Sequence, residues 1–162
     1  MLKTILGVIL LGAFCFETSY CFADATAGVS VFNIDTEVAD FRGINLDVGY
    51  EFSDLLGVRA SYMIGSEDEV VNGVNIEIDE MYAFDAILSL PISDSIKPFF
   101  TIGKLHIDAK ASQDGYSASA SDDFTTYGVG ISFDLREAVT LSAEGKDIDG
   151  DLMTMVTFTA NF

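Results

Sequence analysis

The chain has 162 residues, enough for one domain with a real core, and 26 acidic against 8 basic residues give a formal net charge of −18. That charge excludes nucleic acid as a natural partner, because phosphate repulsion opposes binding. Yet 49% of the residues are hydrophobic, whereas strongly acidic chains are usually apolar-poor, so much of the apolar surface must face something other than water.

The first residues supply part of the explanation. Met1, Leu2 and Lys3 form a short positive start, Thr4 to Phe16 is almost wholly apolar, and Cys21, Phe22 and Ala23 place a small residue where a signal peptidase reads. Residues 1–23 are therefore expected to be a cleaved secretory signal, because the apolar run falls short of the roughly 20 residues of a membrane anchor. Cys15 and Cys21 both lie inside it, so no disulfide framework is expected beyond residue 23. Lys3 and Glu17 cancel, and residues 24–162 still carry −18.

Beyond Ala23 the pattern is alternation, the period of a strand and not of a helix. Ala27 to Ile34 is rich in β-formers. Gly43 to Phe52 sets Ile44, Leu46, Val48, Tyr50 and Phe52 against Asn45, Asp47, Gly49 and Glu51. After a turn at 53–56, Gly57 to Ser66 sets Val58, Ala60, Tyr62 and Ile64 against Arg59, Ser61, Met63 and Gly65. An acidic loop at 67–78 leads to a strand from Asp79 to Leu90, and Pro91 and Pro98 bracket the next turn.

Ile96 to Asp108 reads as a fifth strand, followed by a Ser-, Gly- and Asp-containing loop at 109–121. Phe124 to Leu135 and Val139 to Lys146 follow, with a turn at 136–138. Asp149-Gly150 is a hairpin signal before the last strand, Leu152 to Phe162. Eight strands with short turns on one rim and longer connections on the other describe an antiparallel up-and-down barrel.

Alternation alone does not say which face meets water. The bulky Leu, Phe, Tyr, Ile and Val face would overfill an eight-stranded interior, whereas the Gly, Ser, Ala and charged face fits it. Tyr50, Phe52, Tyr82, Phe84, Tyr127, Phe133 and Phe162 fall toward strand ends, as an interfacial aromatic girdle requires. The fold expected is an all-β, eight-stranded transmembrane barrel over residues 24–162 with a small, polar lumen.

In this orientation Asp47, Glu51, Arg59, Asp85, Glu144 and Lys146 point inward. A Lys104 facing lipid at mid-membrane would cost about 2–4 kcal/mol. Phe100, Ile102, Lys104, His106 and Asp108 are therefore placed inside, and Phe99, Leu105 and Ile107 outside. Arg59, Lys104 and Lys146 then find partners in Asp47, Glu51 and Glu144, the pairing that buried charge demands. A sealed plug of paired side chains is favoured over an ion gate, because so narrow a barrel leaves little free lumen.

His106 is the chain's one histidine, and no spacing sets a nucleophile beside it, so no catalytic residues are assigned. The acidic runs at 67–69 and 147–151 offer carboxylates to calcium or magnesium, but the second has its glycine too early and no glutamate at the distance a calcium loop needs, and solvated loop charge is the favoured reading. No metal or cofactor is expected, although weak cation bridging to lipopolysaccharide is compatible with them.

Four stretches carry a family resemblance: LDVGYEFSDLLGVRASY from Leu46, ISDSIKPFFTIGKL from Ile92, YGVGISFDLREAVTLSAEG from Tyr127, and the terminal TMVTFTANF from Thr154. With them the whole of 24–162 resembles the small eight-stranded outer-membrane barrels, which include OmpA-type transmembrane domains and opacity-type surface proteins. The resemblance implies a Gram-negative outer-membrane location, with lipid and lipopolysaccharide as surroundings; no peptidoglycan-binding domain is expected after the barrel. It also implies that the last strand, with Phe158 and Phe162, is a signal read by the outer-membrane assembly machinery. The function expected is non-enzymatic, an envelope-structural or surface role through polar loops at 36–42, 67–78, 109–121 and 147–151. The alternative is a narrow ion or small-solute pore gated by the charges in the lumen.

Overall fold

The computed structural model describes residues 24–36, 40–65, 69–71, 74–93, 95–113, 116–136 and 138–162. The expected signal segment, residues 1–23, lies outside them. The strands are β1 (Asp24–Asp35), β2 (Asp40–Glu51), β3 (Leu56–Gly65), β4 (Glu69–Val71), β5 (Val74–Ser89), β6 (Ile96–Gln113), β7 (Tyr116–Arg136), β8 (Val139–Ile148) and β9 (Asp151–Asn161). Eight of them close an antiparallel barrel, in which β1 pairs with β9 and β3 with β5, while the short β4 pairs with β5 alone. Closure is what hydrocarbon requires, since an open edge there would leave backbone groups unbonded.

The terminal strand does the closing. β9 pairs with β1 from Thr26↔Asn161 to Asp35↔Leu152, and the Phe162 amide donates to the Ala25 carbonyl at 2.9 Å. Pairing also fixes the stagger. From Ser30 through Asn45, Met63 and Met81 the path reaches Ile107 on β6. From Ser30 the other way, through Thr157, Ser142 and Ser132, it reaches Lys97 on the same strand, ten residues away. A shear of ten on eight strands tilts them about 40° and leaves an interior that side chains can fill.

Side chains are distributed inside-out relative to a water-soluble domain. Phe84 is 59% exposed and Val129 66%, whereas Asp85 is 0% and Lys146 1% exposed. An apolar wall of this extent is covered by lipid, not water. Tyr50, Phe52, Phe133 and Phe162 belong to its turn-side margin, and Tyr62, Tyr82, Phe84 and Tyr127 to its loop-side half, as an aromatic girdle at each interface requires.

Along its axis the lumen has three layers. The turn-side half is polar, as expected from sequence. Arg59, Asp85, Glu144 and Lys146 form a charged layer above it. The loop-side half is apolar: Phe32, Ile34, Met63, Met81, Leu105, Ile148, Met153 and Met155 make one buried cluster, with Phe41, Ile107 and Phe124 packed against it. The methionines suit this place, since flexible thioether chains fill an irregular lumen where rigid ones would clash.

Three connections differ from the sequence expectation. The stretch 109–121 is a β-hairpin instead of a loop, with β6 running to Gln113 and β7 starting at Tyr116. Within 67–78 the chain forms β4 and the first residues of β5. The 36–42 loop is shorter than expected, since β2 begins at Asp40. The Asp149-Gly150 turn is as its sequence predicts, with φ of 55° and 99°, the left-handed pair that a two-residue hairpin turn requires.

Candidate functional site

The charged layer is built by alternation on three strands. Arg59 on β3, Asp85 on β5, and Glu144 and Lys146 on β8 all fall on inward positions, and β3 and β5 set Arg59 directly opposite Asp85. The Arg59 guanidinium bonds Asp85 Oδ2 through Nε at 3.2 Å and Nη2 at 2.9 Å, and Nη2 also reaches Glu144 Oε2 at 2.7 Å. Lys146 Nζ donates to the same Asp85 Oδ2 at 2.6 Å, with Glu144 Oε1 farther off at 3.9 Å. Thr101 Oγ1 donates to Glu144 Oε1 at 2.7 Å. Asp85 is thus the shared anchor of both buried cations.

Glycines make room for this layer. A Cβ on Gly103 would clash with Asp85 Oδ1 and with the Phe84 carbonyl, and one on Gly28 would clash with Asp47 Oδ1. The carboxylates lie flat on neighbouring strands where only glycine admits them.

Asp47 stands apart from the ion pairs. Its Oδ2 accepts from Ser30 Oγ at 3.4 Å and Asn45 Nδ2 at 3.3 Å, and Ser30 Oγ also accepts from Asn45 at 3.1 Å and Thr157 at 2.9 Å. Asp47 and Arg59 look into a turn-side vestibule of about 100 Å³. Thr26, Ser89, Ser132, Thr140 and Asn161 are among its polar walls, and Glu51 and Ser53 line it near the β2–β3 turn. Lys97 pairs with Asp134 at 3.1 Å in the same wall.

Six of the eight residues assigned to a lumen network from sequence are on the inner side. Asp47, Arg59, Asp85, Glu144 and Lys146 are buried there, and Glu51 sits exposed at the vestibule mouth. The pairing differs from the expected one, because Asp85, and not Asp47 or Glu51, holds Arg59 and Lys146.

Lys104 and His106 are corrections, since both point outward. Phe99, Thr101 and Leu105 are buried inside β6, whereas Phe100 and Ile102 are 41% and 45% exposed on the wall. The expectation placed Lys104 near mid-membrane, but β6 is 18 residues long, against roughly 9–11 for a membrane crossing, and counted from its turn-side start Lys104 falls toward the far end of that crossing. Lys104 Nζ bonds Thr125 Oγ1 at 2.8 Å, and His106 stacks on Tyr82 at 4.6 Å. His106 Nδ1 meets Asp123 at 2.7 Å and Nε2 meets Asp108 at 3.3 Å. This is headgroup-level chemistry, where a lysine lifts its ammonium into water. Thr101, missed in the sequence, is the inward residue that the correct phase of β6 reveals.

Among the described residues no three His, Cys, Asp or Glu side chains are grouped to hold a metal ion.

A closed antiparallel barrel with an apolar outer wall, aromatic margins and charges folded into its lumen is an integral outer-membrane β-barrel. The family model described as "Outer membrane protein beta-barrel domain" matches residues 8–162, and the chain belongs to that family. It is accordingly a protein of the Gram-negative outer membrane, with lipid around its wall. No curated protein sequence matches it.

Solved structures share the fold at low identity. Ail, the attachment invasion locus protein of Yersinia pestis, has a TM-score of 0.59 at 22% identity, over 86% of this chain and 96% of its own. The N-terminal barrel of Pseudomonas aeruginosa OprF scores 0.62 at 18%, over 85% and 97%. Pseudomonas aeruginosa OprG scores 0.61 at 13%, over 86% and 95%.

Proposed function

We propose that this protein is a non-enzymatic surface protein that presents a sheet standing outside the membrane to an extracellular partner. One observation carries the reading. From Tyr116 to Thr125, β7 is paired with β6 on one side only, because β8 joins it at Thr126. That free edge is ten residues long, roughly 33 Å of strand. Natural proteins guard such edges with lysine, proline or bulges, but residues 116–121 read Tyr-Ser-Ala-Ser-Ala-Ser. The edge fits addition of an extended partner segment, which main-chain hydrogen bonds hold and side chains select.

The charge points to a basic partner. Asp108, Asp122, Asp123, Asp147 and Asp149 surround the sheet's base on a chain of net charge −18, and opposite charge speeds and orients encounter. The Ail structure was determined with a heparin analogue, sucrose octasulfate; a polyanion of that kind is disfavoured here by repulsion.

Two adjacent variants, Ser119→Pro and Ala120→Pro, test the edge, because neighbouring N–H groups point to opposite sides of β7. The proline facing away from β6 is expected to keep the hairpin and cut binding at least tenfold in a screen against immobilised basic extracellular proteins. Equal binding by both variants and by a 109–121 deletion, in adhesion as well as in that screen, would refute the role.

The pore alternative has less support, since a conducting ion would have to cross the apolar layer of Phe32, Met63, Met81, Leu105, Met153 and Met155 as well as the charged layer. We further infer that residues 1–23 are the cleaved signal, and that lipopolysaccharide and the assembly machinery are partners. Deleting Phe162, whose side chain is 72% exposed, costs little packing. It is nevertheless expected to lower outer-membrane insertion severalfold in cells, measured by the heat-modifiable gel band of fractionated membranes. Normal insertion would show that the end is not an assembly signal.

A further inference from the structure

We propose that the turn-side vestibule binds one monovalent cation against the Asp47 carboxylate. The charged layer and Asp47 together hold three carboxylates (Asp47, Asp85, Glu144) and two cations (Arg59, Lys146), all at most 7% exposed. Both cations are committed to Asp85 and Glu144 at 2.6–2.9 Å. Asp47 is left with hydroxyl and amide donors at 3.3–3.4 Å. One negative charge is therefore in excess in a buried place, where an unpaired charge is expensive.

Arg59 and Lys97 also line the vestibule, each paired with carboxylates, and the rest of its polar lining is that of a small oxygen-ligand site. Asp47 borders a vestibule of about 100 Å³, room for several waters. The hydroxyls of Thr26, Thr157 and Thr159 share its lining, and Glu51 stands at its mouth. The other end is closed by the apolar layer, so exchange runs through the turn rim alone. A monovalent ion matches the single excess charge. A divalent ion would overcompensate it, and with one carboxylate would lack the six to eight oxygens that calcium takes.

The test uses refolded protein in neutral detergent at constant ionic strength, with sodium chloride exchanged for tetraethylammonium chloride, whose alkyl-shielded cation takes no oxygen ligands at close range. The apparent melting temperature of the heat-modifiable band is expected several degrees higher in sodium. Asp47→Asn is expected to melt at one temperature in both salts, while Asp122→Asn on the outer sheet keeps the wild-type difference. If Asp47→Asn does not refold, sodium-23 line broadening on wild-type protein, reversed by potassium, is the second measurement. Equal melting in both salts, with stability rising only on acidification, would mean that a proton balances Asp47 and would overturn the proposal. A sodium effect that persists in Asp47→Asn would overturn it as well.

Discussion

Asp85→Ala is expected to destabilise the barrel by about 3–5 kcal/mol, the cost of breaking a buried ion pair by removing one partner. The Asp85 Oδ2 atom takes three short contacts, two from Arg59 and one from Lys146. Without it Arg59 keeps Glu144, but the nearest carboxylate to Lys146 is Glu144 Oε1 at 3.9 Å, and Lys146 is 1% exposed. The ammonium has no water to turn to. Adding Lys146→Met should recover part of the loss, since removing both members of a buried pair is far milder than removing one. Asp47→Asn, compared in sodium-free buffer, should behave differently, neutral or stabilising, because neither Arg59 nor Lys146 is paired with Asp47. Urea titrations of refolded protein in lipid vesicles measure all four proteins. Equal losses in Asp85→Ala and Asp47→Asn would show that the layer is not organised around Asp85.

Most of the barrel was legible because alternation, turns and the signal-like start all said the same thing. The inward set on β2, β3 and β8 follows from single charged residues flanked by bulky apolar neighbours, as with Asp47 between Leu46 and Val48. β6 was not legible for a definite reason. From Phe99 to Ile107 both phases carry large apolar residues, Phe99, Leu105 and Ile107 against Phe100 and Ile102, so alternation gives no sign. Lys104 then decided the phase through a mid-membrane cost that does not apply where the strand leaves the lipid. The apolar loop-side layer was hidden for a related reason. A face taken as polar carries Met63, Met81, Met153 and Met155, and no rule of period reveals that they meet across the lumen. The partner of Arg59 depends on register, and the pairing of β3 with β5 sets it directly opposite Asp85.

The phase of β6 yields the second large effect. Leu105→Ala is expected to cost about 2–5 kcal/mol, the range for emptying a fully buried leucine site, because Leu105 is 0% exposed in the apolar layer. Its neighbours there, Met81, Ile107 and Phe124, come from the walls of three strands that cannot collapse inward without breaking the ladder. Lys104→Ala, one residue earlier, loses an exposed bond to Thr125 and should change stability by no more than about 0.5 kcal/mol. The opposite phase reverses the order, since Lys104 would then be a buried cation and Leu105 a lipid-facing residue. Unfolding midpoints of the two variants decide the matter, and labelling gives an independent reading. Lys104→Cys on intact cells should react with a membrane-impermeant maleimide within minutes, while Leu105→Cys stays unmodified until the barrel is unfolded. A modified Leu105→Cys in the folded protein would place that side chain outside the lumen and return β6 to the opposite phase.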